Sequence, residues 1–272
     1  MLNRRTRFVF LVQERTELSL ELLSVAARMR ENDLRIAAHW ISRPDLPAVT
    51  LQASDTSFRA WIAAGSAALD RLVGASNEIN VVGVGLGATR ALAIAAERSD
   101  AIDSLTIVSL PMFRDDWNVA GRRRVLPAFY YAQLGRLVRI RDRLLYGIEN
   151  DVHRQSTVKQ NAAGDLRTRG SGYSTEAWLR DVNCLAGHAR RSLHRSGSPT
   201  LMVHAREDDI ASRSCVQFVR KHLGSDILKV LNVANNYPLM LEDTDDSHAK
   251  SKIIQFINTQ AALRASVNSL PP

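Results

Sequence analysis

Residues 79–97, INVVGVGLGATRALAIAAE, constrain the fold of this chain more than any other stretch. The stretch opens with a short β-rich apolar run, which is typical of a buried parallel strand. Gly83, Gly85 and Gly87 follow at alternate positions, and Ala and Leu then recur at helical spacing. A strand, glycine turn and helix either hold a phosphate at the helix N-terminus or lift a nucleophilic serine above the sheet. Because the central residue is Gly85, neither pattern is met in full, and the rest of the chain has to decide between them.

Strands and helices alternate on both sides of this stretch. The apolar patterns predict strands at residues 8–12, 34–41, 79–82, 104–108, 200–204 and 228–233, and amphipathic helices at residues 18–30, 58–72, 215–222 and 250–263. Strand–helix–strand units at this spacing predict an α/β fold with a mostly parallel sheet flanked by helices. We expect a core formed by residues 1–112 and 198–263, a helical and basic insertion at 113–197, and a flexible tail at 264–272.

Composition excludes several classes of protein. A chain of 272 residues with 45% hydrophobic and 24% charged residues is an ordinary globular composition, and no apolar run is long enough to span a bilayer. The apolar run at residues 8–12 is too short for a signal peptide, so we interpret it as the first strand. Cys184 and Cys215 have neither redox nor metal-ligand spacing, and the acidic run at residues 242–246 has no metal-ligand spacing either. We therefore expect a cytoplasmic protein without a metal or other cofactor.

The charge of the chain is concentrated in the predicted insertion. Residues 113–197 contain twice as many basic as acidic residues, and the remainder is balanced, so the whole net charge of +8 lies in this segment. Its basic clusters include Arg122, Arg123, Arg124, Arg139, Arg141, Arg143, Arg190 and Arg191. Solvated helix faces are the simpler interpretation. The alternative is a patch that binds an acidic partner.

Four segments, in the right order, resemble the α/β-hydrolase superfamily, and in particular its bacterial carboxylesterase and monoacylglycerol-lipase-like group of the serine aminopeptidase S33 type. The segments are GVGLGATRALAIAAE, SLTIVSLP, SPTLMVHAREDDIAS and NNYPLMLED, and the stretch YYAQLGRLVRIRDRLLYGIEN is similar to the lid of bacterial members. The resemblance implies an α/β-hydrolase fold with a helical lid. It also implies the chain order Ser, Asp, His for a catalytic triad.

The resemblance also implies which residues stand at the catalytic positions. The nucleophile position falls on Gly85, the base position on Pro238 and the acid position on Asp208. The His-Gly pair that helps to form the oxyanion hole is replaced near Gln13, whereas the second oxyanion donor, the backbone N–H of Leu86, is retained. Loss of a triad serine or histidine costs about 10⁶-fold in turnover, and loss of one oxyanion donor costs about 10²- to 10³-fold.

These losses predict a degenerate triad and a pseudoenzyme. We expect a binding or accessory protein that holds an acyl or ester-like ligand over Gly85, beside Gln13, Leu86 and Ser109, or that binds an acidic partner through its basic insertion. An acyl carrier protein, a phospholipid surface and an anionic polysaccharide are equal candidates for that partner, and no nucleic acid is expected. A separate hypothesis is that the protein is a purely structural interaction subunit. Glycine at the elbow has a folding rationale, because it adopts strained backbone conformations without cost.

Other residues offer replacement chemistry, and each also has a simpler interpretation. Ser109 ends a strand near the mouth of the expected pocket and is a conceivable nucleophile without an evident base. His204 ends a strand beside Asp208, and His248 lies at the start of the last helix, where a surface position is the simpler interpretation. Cys215 is expected to be a buried and inert thiol. The alternative of a hydrolase that uses non-standard residues, with Asp208 and a bound water, stays open.

The dinucleotide interpretation is the more distant alternative. The spacing of Gly83, Gly85 and Ala88 fits the relaxed G-x-G-x-x-[GA] fingerprint. That motif usually opens the first strand–helix turn of its domain, whereas two predicted strands and two helices precede it here. The spacing alone is therefore weak support.

Overall fold

A parallel sheet of six strands lies at the centre of the described chain. The structure is a computed structural model, and it describes residues 6–13, 20–40, 57–73, 77–113, 140–141, 173–174, 176–206, 208, 211–233 and 247–268. The strands of the sheet are β1 (Thr6–Gln13), β2 (Arg35–Trp40), β3 (Asn77–Val84), β4 (Ser104–Val108), β7 (Thr200–Ala205) and β8 (Leu228–Val233). Their order across the sheet is β2-β1-β3-β4-β7-β8, and every neighbouring pair is parallel.

Helices cover both faces of this sheet. They are α1 (Leu20–Arg30), α2 (Phe58–Asp70), α3 (Leu86–Glu97), α4 (Glu176–Ser192), α5 (Arg213–His222) and α6 (Ser247–Asn268). Successive strand residues point to opposite faces, so Phe10 and Val12 pack with α2, α3, α4 and α5, whereas Val9 and Leu11 pack with α1 and α6. The resulting three layers bury the central strands on both sides, which explains why their sequences are continuous apolar runs.

Helix α3 is the most deeply buried helix in the described residues. All of its residues except the last, Glu97, are buried, and α2 and α4 pack against it. Small alanine side chains let α3 lie close to the sheet, and its basic side chain, Arg90, donates from Nε to the carbonyl of Trp61 on α2 at 2.7 Å. Burial lowers the pKa of Arg90 to about 10. The helix that follows the glycine turn is therefore held rigidly in the core.

The predicted α/β architecture is confirmed, and the element bounds agree within a few residues. One boundary was wrong: α6 continues through Asn268, so residues 264–268 of the expected flexible tail are helical, and Arg264 forms an ion pair with Asp103. No helix in the described ranges is long and apolar enough to cross a membrane.

Most of the predicted insertion at residues 113–197 lies outside the described residues, and its role as a separate helical lid stays a prediction. Two short strands within it, β5 (Ile140–Arg141) and β6 (Tyr173–Ser174), pair antiparallel, so the segment is not wholly helical. Its last helix, α4, packs on α3 and α2 through Leu185 and Ala189, which are core residues. This part of the segment belongs with the helical layer over the sheet.

Candidate functional site

The turn between β3 and α3 consists of Gly85. Its backbone has φ 57° and ψ −127°, a left-handed conformation that side chains rarely adopt and that glycine adopts without strain. Its N–H donates to the carbonyl of Val108 at the end of β4, at 2.9 Å, and its carbonyl accepts the N–H of Ala88, also at 2.9 Å. The turn is sharp because one residue connects the strand to the helix. The sequence prediction of a strand–glycine–helix elbow is confirmed at this point.

A second glycine permits the close approach of strand and helix. A Cβ on Gly83 would lie 2.7 Å from Cα of Ala88, from Cβ of Ala91 and from the carbonyl oxygen of Gly87. Two of these three neighbours are backbone atoms of α3, which cannot move without shifting the helix. Gly83 is thus required for packing, whereas Gly85 is required for backbone conformation.

The elbow lies at the edge of the sheet where parallel α/β proteins bind ligands. The chain winds from β1 to β2 on one side and reaches β3 on the other side, so the order of strands reverses beside β1. Gln13 ends β1, and its neighbour Val12 is in register with Gly83. Leu86 is buried and is the first residue of α3, so its N–H has no acceptor within the helix. Gln13, Gly85 and Leu86 therefore meet at one edge, as expected for a site over the elbow.

Asp208, the predicted acid, follows β7 and is buried, with 5% of its surface exposed. Its Oδ2 accepts a hydrogen bond from Oγ of Ser109 at 2.6 Å, and its Oδ1 accepts the N–H of Ala211 at 2.9 Å. Ser109 is fully buried at the end of β4, next to β7 in the sheet. Both carboxylate oxygens of Asp208 thus bind groups that belong to the loops at the edge of the sheet.

Ser109 has an unusual backbone conformation. Its φ of 50° is one of two positive values at non-glycine residues in the described chain, and its N–H donates to the carbonyl of Val203 at 3.0 Å. A side chain in a sparsely populated backbone region costs about 1–3 kcal/mol. A hydrogen bond to a charged group contributes about 1.5–3 kcal/mol. The bond to Asp208 is therefore strong enough to hold Ser109 in this conformation.

His204 completes a buried polar cluster with Ser109 and Asp208. It lies in β7 with 2% of its surface exposed, and its Nδ1 is 3.7 Å from Oδ2 of Asp208, which is longer than a hydrogen bond. Neither ring nitrogen has a hydrogen-bond partner within the described ranges. Desolvation lowers the pKa of His204, the Asp208 carboxylate opposes this shift and Arg213 adds to it. The imidazole is neutral at neutral pH, so the pair is not an ion pair there.

The remaining predicted site residues divide into two groups. Cys215 is fully buried in α5 and His248 is exposed at the start of α6, as predicted. Pro238 and most of the predicted arginine patch lie outside the described residues, and Arg141 is described only as part of β5. The described ranges contain no group of three or more His, Cys, Asp or Glu that could hold a metal ion.

The bond between Ser109 and Asp208 is the feature that sequence reasoning missed. The sequence offered a signal for it, because a serine directly follows the strand that ends at Val108 and an aspartate follows the strand that ends at Ala205. These strands are neighbours in the sheet, and the carboxyl ends of neighbouring parallel strands meet. From the sequence alone Ser109 is expected to be a nucleophile or a ligand contact, and the structure shows it as a partner of Asp208.

The order of the strands bears on the dinucleotide alternative. Dinucleotide-binding domains have the strand order 3-2-1-4-5-6 and bind the pyrophosphate at the turn after the first strand. Here the six strands, numbered along the chain, have the order 2-1-3-4-5-6, and the glycine turn follows the third. The arrangement does not fit that alternative.

No protein-family model and no curated protein sequence matches this chain. Solved structures do match it over almost its whole length. A monoacylglycerol lipase from Paleococcus ferrophilus has a TM-score of 0.71 at 14% identity, with 93% of this chain and 94% of that chain covered. A thermostable carboxyl esterase from Bacillus coagulans has a TM-score of 0.70 at 13% identity, with 95% and 91% covered. A soluble variant of the monoglyceride lipase of Saccharomyces cerevisiae has a TM-score of 0.69 at 12% identity, with 95% and 88% covered. The chain therefore has the α/β-hydrolase fold.

Proposed function

We propose that this protein is an α/β-hydrolase-fold protein without serine esterase activity, and that it serves as a binding or accessory protein. The observation that carries the proposal is the residue at the elbow. Gly85 has the backbone conformation of a strained turn but no side chain, so no hydroxyl is available there to attack a carbonyl carbon. An esterase mechanism that begins with acylation at this position has no nucleophile.

The base position gives independent support. Pro238, which stands at this position by the family resemblance, has no group that transfers a proton. Asp208 accepts one hydrogen bond on each oxygen, from Ser109 and Ala211, and each oxygen of a carboxylate can accept two, so the acid position itself is not lost. The nucleophile and base positions therefore both lack the group that a serine esterase mechanism requires.

The ligand proposed for the elbow is an acyl or ester-like molecule, at the edge formed by Gln13, Gly85 and Leu86. The support is the switch in strand order at this edge and the buried N–H of Leu86 at the start of α3. The printed names of the three structural neighbours describe lipases and an esterase, which makes an acyl group the natural ligand class to test. An acidic protein is the proposed macromolecular partner.

The test is an assay with p-nitrophenyl esters of several chain lengths. We expect no turnover by the parent protein above the rate of buffer and denatured protein. The variant Gly85→Ser/Pro238→His restores two of the lost groups, and adding Ser109→Ala releases one oxygen of Asp208. Hydrolysis by the triple variant, with little or none by the parent, would support a degenerate triad. Turnover by the parent above that background would contradict the proposal, and loss of this turnover in Asp208→Ala would favour a hydrolase that uses Asp208.

A second candidate function is hydrolysis by the cluster of Ser109, Asp208 and His204. The observation in its favour is that a serine in a strained backbone donates to a buried carboxylate at 2.6 Å, with a neutral imidazole 3.7 Å from the same oxygen. Oγ of Ser109 would attack the ester carbonyl and its proton would pass to Asp208, after which the alcohol leaves and water releases the acid. Labelling by a fluorophosphonate tests this directly. Modification of Ser109 in the parent, absent in Ser109→Ala, would favour this candidate over the inactive protein.

A further inference from the structure

Helix α5 has two faces with different surroundings. Cys215, Val216 and Val219 point into the core beneath it. A second stripe, spaced by three and four residues along the helix, lines an open groove of about 340 Å³ together with Phe113 from the segment after β4. The groove residues are Phe113, Ser214, Gln217, Phe218, Lys221 and His222.

The groove has an aromatic floor and a cationic rim. The rings of Phe113 and Phe218 meet edge to face with centroids 5.2 Å apart, and His222 stacks on Phe218 at 4.2 Å. The guanidinium of Arg190 lies 5.0 Å from the centroid of the Phe113 ring. Lys221 stands at the side of the same groove. The rings of Phe113 and Phe218 are half-buried, so they form a recess and do not protrude from the surface.

The rim extends into a larger basic surface. The N–H of Gly224, just after α5, donates to the carbonyl of Leu193, and this contact brings together the C-terminal ends of α5 and of the short helix that follows α4. A Cβ on Gly224 would lie too close to the carbonyl oxygen of His194, which shows how tightly these ends meet. The cations at these helix ends are Arg190, Arg191, Arg195, Arg220 and Lys221.

The acidic residue that follows α5 in the chain is Asp226, which is exposed. Helix α5 contains no Asp or Glu, and neither does the helix Leu193–Arg195. None of the Lys and Arg side chains of this surface is within ion-pair distance of a carboxylate in the part of the chain that the structure describes. Basic residues near a helix C-terminus are stabilised by the negative end of the helix dipole, which explains one or two of these cations. It does not account for two such ends placed side by side around an aromatic groove.

We propose that this surface docks an acidic segment of a partner protein, with one apolar side chain in the groove and carboxylates against the rim. The proposal deepens the binding role proposed above and rests on it for the expectation that the protein has a partner. A recess lined by aromatic side chains takes up an apolar anchor, and unpaired cations around it select for acidic neighbours of that anchor.

Three other occupants fit less well. A membrane surface requires large apolar side chains that protrude, and the exposed ones among the described residues are Val73, Ile227, Leu263 and Val267, none of which lines the groove. Single-stranded nucleic acid stacks successive bases on several aromatic rings, whereas the two phenylalanine rings of this groove contact each other edge to face and offer no such series. A second copy of the chain would bring a net charge of +8 to a basic surface.

The experiment measures binding of a fluorescein-labelled helical peptide by fluorescence anisotropy. The peptide carries Glu on one face and Leu on the other, and a matched peptide carries Gln in place of Glu. We expect the full-length protein to bind the Glu peptide more tightly and to lose affinity as salt rises. The variant Arg220→Glu/Lys221→Glu is expected to weaken binding about tenfold, since like charges across an interface repel.

A control variant distinguishes an effect of this surface from an effect of the net charge of the protein. Arg30→Glu/Lys252→Glu changes the charge of the protein equally, on helices that cover the other face of the sheet. Equal weakening by both variants, or equal binding of the Glu and Gln peptides, would overturn the proposal. So would binding of phosphatidylglycerol vesicles or single-stranded DNA that Arg220→Glu/Lys221→Glu abolishes, without peptide binding. The ester assay is run on the same parent, so failure of the inactive-elbow proposal is seen separately from failure of this surface.

Discussion

Replacement of Gly85 by alanine tests the elbow most directly. The substitution adds one methyl group to a residue at φ 57° and ψ −127°. A side chain in such a region costs about 1–3 kcal/mol. Alanine also reduces the freedom of the unfolded chain, which returns about 0.4–1 kcal/mol. We therefore expect Gly85→Ala to lower the free energy of unfolding by about 1–2 kcal/mol.

Gly187→Ala is the matched control, because it adds the same methyl group in a helix. Gly187 lies inside α4, and the nearest atom to its added Cβ is Nη1 of Arg191 at 3.3 Å, the end of a flexible side chain. Alanine is more favourable than glycine in a helix interior by about 0.5–1 kcal/mol. The two substitutions are thus expected to have opposite signs, although their chemistry is the same.

Urea denaturation of parent, Gly85→Ala and Gly187→Ala gives the free energies of unfolding. Thermal unfolding gives a second measure, in which 1 kcal/mol corresponds to a shift of about 2–4 °C for a protein of this size class. If Gly85→Ala were as stable as the parent, the turn would not have a left-handed backbone in solution. The folding rationale for glycine at the elbow would then be wrong, and the serine-to-glycine difference would need another explanation.

The remaining predictions concern the buried cluster and the contact of β3 with α3. Ser109→Ala removes the hydroxyl that donates to Asp208 and is expected to lower the free energy of unfolding, measured by urea denaturation, by about 2–3 kcal/mol. Ser109→Gly also relieves the backbone strain at φ 50°, so its loss should be about 1 kcal/mol smaller. If Ser109→Gly were the less stable variant, the backbone of Ser109 would not be strained. The pKa of His204 is lowered in the folded state, so its effect on stability is nil above the unfolded pKa near 6.5 and becomes unfavourable as pH falls through and below that value. The parent should lose more stability between pH 7.5 and 5 than His204→Gln, and parallel pH profiles would contradict this. Gly83→Ala forces a Cβ within 2.7 Å of the backbone of Ala88 and is expected to cost more than 2 kcal/mol, so a mild effect would show that β3 and α3 are not in such close contact.

The sequence predicted the fold well because its strongest signals are local. The apolar runs of β1, β3, β4 and β7 are continuous because each strand is buried on both faces. The glycines after β3 are typical of a sharp turn between a strand and a helix. The end of α6 was misjudged because a Ser and Pro-containing terminus resembles a tail. The helix in fact continues to Asn268, and Arg264 forms an ion pair with Asp103, which is far away in the chain.

The sequence indicates which residues of the candidate site lie at strand ends, but not which contacts they make. Gly85, Leu86 and Asp208 were assigned from motifs, and each motif also states which end of a strand its residues occupy. The hydrogen bond of Asp208 with Ser109 and the burial of His204 depend on which strands are neighbours, which one sequence gives only through the fold. The sequence identifies Arg190 and Arg191 as a basic cluster, but their position beside α5 depends on the contact of Gly224 with Leu193, which only the fold provides.

The presence of Asp208 has an explanation that does not require catalysis. Its Oδ2 joins the loop after β7 to Ser109 at the end of β4, and its Oδ1 binds Ala211 within the loop after β7. The carbonyl of Val108 in turn accepts the N–H of Gly85. The elbow, the strained Ser109 and the acid therefore form one hydrogen-bonded connection across three neighbouring strands. A buried carboxylate that loses such donors costs more than the bonds themselves contribute. Asp208 would be kept for stability even in a protein that never hydrolyses an ester, and its presence is weaker evidence for activity than the glycine at position 85 is against it.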